Sequence, residues 1–146
     1  MPPLTRRSPI LRASQEIVNL LTEYYAAMET NQPDRYGKYF AYDITLTFAP
    51  APTITGRDAA LTAMAGLLGR VRSLHHDLVN VWEEDEGVVI FESLGVWHLH
   101  NGRSVSIKAC SVFTVENGKF TDQRIYVDNS PLFELLDEPV AASPSS

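Results

Sequence analysis

The chain carries a single cysteine, Cys110, among its 146 residues. One thiol cannot close an intrachain disulfide, so the core must hold the fold, and a reducing compartment, the cytoplasm, is the expected location. Basic residues are in the minority: 12 Lys and Arg stand against 18 Asp and Glu, for a net charge of −6. No basic stripe tracks a phosphate backbone, so nucleic acid is not an expected partner. No apolar run reaches the roughly 18 residues that a membrane helix needs, which argues against a membrane partner. Residues 1–13 contain no apolar core of signal-peptide type. A Gly-rich phosphate loop, a nucleophile elbow and a dinucleotide fingerprint are all missing. The four histidines show no ligand spacing. No metal is therefore expected, and no cofactor is implied.

What is present suits one domain. The chain divides into a flexible N-terminus at 1–13, a single domain at 14–138, and a Pro/Ala/Ser-rich disordered tail at 139–146. Ile17, Leu20, Leu21, Tyr24, Tyr25 and Met28 recur at helical spacing, and Ser8-Pro9 offers a start for that helix. Asn31-Gln32-Pro33 breaks it, and a short second helix is expected near Asp34–Phe40. Ile44–Phe48 alternates as a strand and stops at Pro50 and Pro52. A third helix follows Gly56, with the stripe Leu61, Met64, Leu67, Leu68 and Val71. Four strands come next, near Leu74–Trp82, Val88–Leu99, Ser104–Val115 and Phe120–Val127. The turns Asp85-Glu86-Gly87, Asn101-Gly102 and Asn117-Gly118 have hairpin chemistry. A short closing helix is expected over Pro131–Leu136.

Helices ahead of a strand meander point to an α+β fold, with three N-terminal helices packed on a curved, mainly antiparallel sheet. Alternation along the third of these strands puts Val105, Ile107, Ala109, Ser111, Phe113 and Val115 on the inner face. The opposite face carries Cys110 and Val112, beside Ile90, Leu94 and Val96 of its neighbour. A sheet face this apolar implies a partner, and a homodimer through it is expected. Glu92 points to that outer face and is expected to pair with Lys108 across the strands.

Gly56-Arg57-Asp58-Ala59, Ala65-Gly66-Leu67, Gly102-Arg103-Ser104, Val112-Phe113, Gly118-Lys119 and Tyr126-Val127-Asp128, in this order of elements, carry a resemblance. From Ser14 to Leu132 the chain resembles the cone-shaped nuclear-transport-factor-2-like superfamily, in its SnoaL-like and limonene-epoxide-hydrolase-like branch. That superfamily includes SnoaL-like polyketide cyclases, ketosteroid isomerases and limonene-type epoxide hydrolases. The positions matching the Asp-Arg-Asp set of the limonene-type hydrolases are Gly95, Ser93 and Ile125, and their Tyr and Asn fall on Leu46 and Phe48. The strand aspartate of the cyclases also falls on Ile125. The base of the isomerases falls on Phe48, their oxyanion-hole acid on Ser111, and their helix-1 tyrosine on Tyr24. Of these, only Tyr24 keeps its residue type, so the chemistry must lie elsewhere than in these relatives.

Other residues offer acid–base groups. His75, His76 and Asp77 open the strand after the third helix. Histidine is the natural base near neutral pH, and alternation turns either His76 or the pair His75 and Asp77 inward. His76 shares its face with Leu74 and Leu78; the bland alternative is a strand-edge histidine held by backbone. Tyr24 has a hydroxyl suited to an oxyanion, or it is a core aromatic. Ser111 is a lone hydroxyl on an apolar face. Asp128 stands where the last strand ends, as an acid or as the cap of the turn through Asn129-Ser130. The catalytic candidates are thus His76, Tyr24, Ser111, Asp77 and Asp128. Leu46, Phe48, Leu67, Ser93, Trp97, Ile107, Ala109 and Ile125 are the candidate pocket wall, with Gly95 leaving room beside Trp97.

An apolar pocket of this kind suits a hydrophobic, ring-containing small molecule. The sequence is read as a cofactor-independent cyclase or isomerase of secondary metabolism working by acid–base catalysis on a polyketide- or terpenoid-like substrate. The alternatives are a non-catalytic ligand-binding or dimerisation module, and an epoxide hydrolase with rearranged acids.

Overall fold

The computed structural model describes residues 13–84 and 87–136. The proposed start at Ser8-Pro9, the tail 139–146 and two residues of the turn Asp85-Glu86-Gly87 lie outside that range. Helix α1 spans Gln15–Met28 and starts at Ser14, whose Oγ accepts the Ile17 N–H at 3.2 Å. That serine satisfies one of the orphan donors of the first turn, which sets the start of α1. Its stripe is buried at Ile17, Leu21, Tyr24, Tyr25 and Met28. The second helix is shorter than expected: α2 is one turn, Pro33–Tyr36, followed by a 3-10 turn at Gly37–Tyr39. Proline at its first position is favoured there because its missing N–H would be orphaned anyway.

Strand β1 covers Phe40–Ala49, and a two-residue strand β2, Ile54–Thr55, folds back on it before α3, Arg57–Gly69. The third helix therefore follows a strand pair. Gly56 enters α3 at φ 96°, a conformation that favours glycine. Strands β3 (Ser73–Glu83), β4 (Val88–His98), β5 (Ser104–Glu116) and β6 (Lys119–Val127) form a meander, and α4 spans Ser130–Leu136. The sheet is mixed and curved, in the order β2-β1-β6-β5-β4-β3. Every pairing is antiparallel except β1 with β6, which brings Leu46 beside Gln123.

The helices cover the inner face, and aromatic rings fill the space beneath them. Tyr24 meets Phe120 with ring centroids 4.8 Å apart, and Phe113 lies 4.8 Å from Phe91 and 5.1 Å from Phe120. All three pairs are edge-on, the arrangement that ring quadrupoles prefer. The outer face carries half-buried Ile90, Leu94, Val96 and Val112 and exposed Cys110. Glu92 lies opposite Cys110 and accepts from Asn80 Nδ2 at 2.7 Å, so it does not take Lys108, whose strand partner is Leu94. No described helix is long and apolar enough to cross a membrane.

Candidate functional site

Inside the cone, α1, α3 and the inner face of the sheet leave a cavity with room for water centres of about 60 Å³; with its mouth, the atom-free space is about 600 Å³. Tyr24, Tyr25 and Met28 come from α1, and Met64, Leu67 and Leu68 from α3. The strands add Phe48, Leu74, His76, Ser93, Gly95, Trp97, Ile107, Ala109, Ser111, Phe113, Ile125 and Val127, and Asn129 closes one side. Among the described residues, no Asp, Glu, Lys or Arg lines this cavity.

Among the candidates, His76, Tyr24 and Ser111 are brought to the cavity together with Phe48, Leu67, Ser93, Trp97, Ile107, Ala109 and Ile125. Three candidates stand elsewhere. Leu46 shares the inward alternation but is fully buried in the core beside Gln123, below the cavity floor. Asp77 lies opposite Leu94 on the outer face, where its carboxylate meets His75 Nε2 at 2.9 Å. Pleating allows one of two neighbouring residues inward, and the pairing of His76 with Gly95 selects His76. Asp128 is exposed and accepts from the Ser130 N–H at 3.0 Å and its hydroxyl at 2.7 Å. It therefore serves the turn, and those bonds hold its carboxyl below the usual range.

His76 is a half-buried side chain, 13% exposed. The Tyr25 ring lies over it, with centroids 4.4 Å apart and planes tilted by 34°. Behind it stands Glu29, the residue that ends α1. Glu29 Oε1 accepts the His76 backbone N–H at 2.6 Å and lies 3.7 Å from His76 Nδ1 and 3.6 Å from His75 Nδ1. Burial pushes the Glu29 carboxyl up, but the contacts with the His76 ring and N–H and the nearness of His75 outweigh it and hold it below its ordinary value. Glu29 is thus an anion, and although His76 Nδ1 is buried without a hydrogen bond, the field of the carboxylate favours the tautomer with the proton there, in which Nε2 is the acceptor. The carboxylate–imidazole pair was not visible in local pattern, although Tyr25 and Glu29 stand one helical turn apart, at i and i+4.

The tyrosines divide the work differently from the sequence reading. The Tyr24 hydroxyl is committed to the core, donating to Gln123 Oε1 at 3.5 Å. Burial raises the pKa of both phenols far above normal, so neither is an anion at any ordinary pH. No hydrogen bond to the protein occupies the Tyr25, Ser93 or Ser111 hydroxyls among the described residues. No cluster of described side chains has the makings of a metal site. The arrangement is a dry, uncharged chamber with one imidazole base and a few uncommitted donors.

The chain belongs to the SnoaL-like domain family, whose profile matches residues 21–123. An LEH-like epoxide hydrolase of M. tuberculosis superposes with a TM-score of 0.69 at 20% identity, over 84% of this chain and 90% of that one. A protein assigned as a SnoaL-like polyketide cyclase from Jannaschia sp. CCS1 gives 0.73 at 17% identity, over 92% and 99%. TerC crystallised with polyporic acid gives 0.71 at 12% identity, over 85% and 100%. Likeness at these identities establishes the fold.

Proposed function

We propose that this chain is a cofactor-independent acid–base enzyme, a cyclase or isomerase, that acts on a hydrophobic, ring-containing small molecule of secondary metabolism. The observation that carries the reading is His76: its Nε2 faces an apolar, uncharged cavity while Glu29 stands behind its Nδ1. An imidazole so held takes a proton from the substrate, and the carboxylate stabilises the imidazolium that forms. Ser111 and the Tyr25 hydroxyl replace Tyr24 as the cavity's hydroxyl donors. The dry wall strengthens each of these interactions and holds a flexible substrate in one shape.

The void of about 60 Å³ is narrower than a ring requires; an apolar cavity of about 150 Å³ takes benzene. Met28 and Met64 on its wall are unbranched and adaptable, so their movement admits the ligand. His76→Ala is expected to lower turnover of a true substrate by roughly 10²–10⁴-fold while leaving ligand binding measurable. Full activity in that variant would show that His76 is not the base, whereas ligand binding without turnover in the wild type would make a non-catalytic binding module the better reading. An epoxide hydrolase with rearranged acids would need two carboxylates on the wall, and none is among the lining residues.

We also propose that the outer face joins two copies through Leu94, Val96 and Val112. Light scattering coupled to size exclusion tests this: Leu94→Glu should convert a dimer to a monomer, and a wild-type monomer at micromolar concentration would sink the idea.

A further inference from the structure

We propose that Gly95, Trp97 and His76 form a seat for one neutral oxygen of the ligand, a ring carbonyl, and that the Trp97 indole N–H is the donor that fixes it. The proposal rests on the reading of the cavity as the reactive site and names the part of the ligand that enters first. Gly95 has no backbone reason to be glycine: it lies in mid-strand, paired with His76 on one side and Ile107 on the other, and its φ is not in the left-handed region. The reason is space. A Cβ on this residue would stand 3.2 Å from Trp97 Nε1, 3.6 Å from His76 Nε2 and 3.7 Å from His76 Cδ2. The bare Cα therefore lets two ring nitrogens close in on the same point of the strand, on the wall of the cavity.

The two nitrogens are of opposite character. Trp97 is buried, and its N–H donates to no protein acceptor among the described residues. The Nε1 atom is not sealed in the core but opens on the cavity, so it can donate to a ligand there. His76 Nε2 is the acceptor in the tautomer with the ring proton on Nδ1, which the Glu29 carboxylate 3.7 Å away favours through its field. One donor beside one acceptor matches a carbonyl oxygen on Trp97 with an acidic C–H or enol O–H of the neighbouring atom on His76. A carboxylate ligand would enter without a cation to meet it, and an ammonium without a carboxylate, since neither lines the wall. A hydrocarbon would leave both nitrogens unpaired.

The test compares two bicyclic probes of one shape, 2-tetralone and tetralin, titrated against the protein while the ¹⁵N–¹H signals of its two tryptophan indoles, Trp82 and Trp97, are followed. The ketone is expected to bind about 5–10-fold more tightly than the hydrocarbon, the effect of one hydrogen bond to a desolvated donor. It should move the Trp97 indole proton downfield, and tetralin should not. Trp97→Phe keeps the ring and removes the donor, and Gly95→Ala crowds the two nitrogens; each is expected to erase the preference. An equal preference in wild type and Trp97→Phe, or no ketone binding to the wild type, overturns the seat. The outcomes separate the two proposals. Absence of a preference with turnover still dependent on His76 defeats the seat alone. A preference that Trp97→Phe removes, with turnover indifferent to His76→Ala, defeats the acid–base reading alone.

Discussion

Replacing Glu29 with glutamine isolates the charge behind the imidazole. Glutamine keeps an oxygen for the His76 backbone N–H, which Glu29 now accepts at 2.6 Å, and removes only the negative charge 3.7 Å from His76 Nδ1. That separation is too long for a strong hydrogen bond, so the carboxylate acts mainly through its field. Two unit charges about 4 Å apart interact by about 1 kcal/mol in water and about 4 kcal/mol at the effective dielectric of a protein surface. The Glu29 side chain is 21% exposed, which places the effect in the lower half of that range, about 1–2 kcal/mol. Glu29→Gln should therefore lower kcat about 5–30-fold, with KM little changed. In a His76→Ala background it should lower nothing further. A loss of equal size in both backgrounds, or one confined to KM, would refute the coupling. Stability supplies an independent readout. The carboxyl of Glu29 is held below its ordinary value of 4.5 in the fold. Wild type thus gains stability over Glu29→Gln above pH 4.5 and loses that gain as pH falls through the lower folded value. The gap in melting temperature, roughly 3–5 °C per kcal/mol for a chain of this size, should be open at neutral pH and close as pH falls through the lowered folded value.

The amide of Gln123 is fully buried, and its Nε2 has no partner, while its oxygen meets Tyr24 only at 3.5 Å. Tyr24→Phe alone should cost about 1 kcal/mol in urea denaturation, yet Tyr24→Phe with Gln123→Met should be neutral or stabilising, because no buried polar group is then left unpaired; a fully additive loss would contradict this. Gly87 has φ 77°, and a methyl there would run into the carbonyl oxygen of Val115. Gly87→Ala should thus destabilise by more than about 2 kcal/mol, and an unchanged denaturation midpoint would show that the β4 entry yields freely.

The parts of the fold set by local chemistry were legible in the sequence. Asn117 at φ 53° and Gly118 at φ 74° make the tight turn between β5 and β6 that an Asn-Gly pair favours. Alternation alone put Ser93, Gly95 and Trp97 on one face of β4. It gives the face and not the depth, so Leu46 was grouped with wall residues although it lies in the core. Nor does it resolve neighbours: His76 and Asp77 are separated only by the register against β4. The carboxylate at Glu29 was out of reach because its role depends on the end of α1 meeting the start of β3, 47 residues on.

The parallel seam one strand in from the β2 edge of the sheet sets a timetable for assembly. Thr45 of β1 bonds Asp122 of β6 at 2.6 Å, across 77 residues of chain. At a ribosomal rate of about 5–20 residues per second, β1 waits roughly 4–15 s for the strand that completes it. Through that interval Ile44 and Leu46 have only the two-residue strand β2 beside them. Long-range closure of this kind is slow as well as late. The nascent chain is thus most exposed to chaperones and to self-association just before the strand that also walls the cavity emerges.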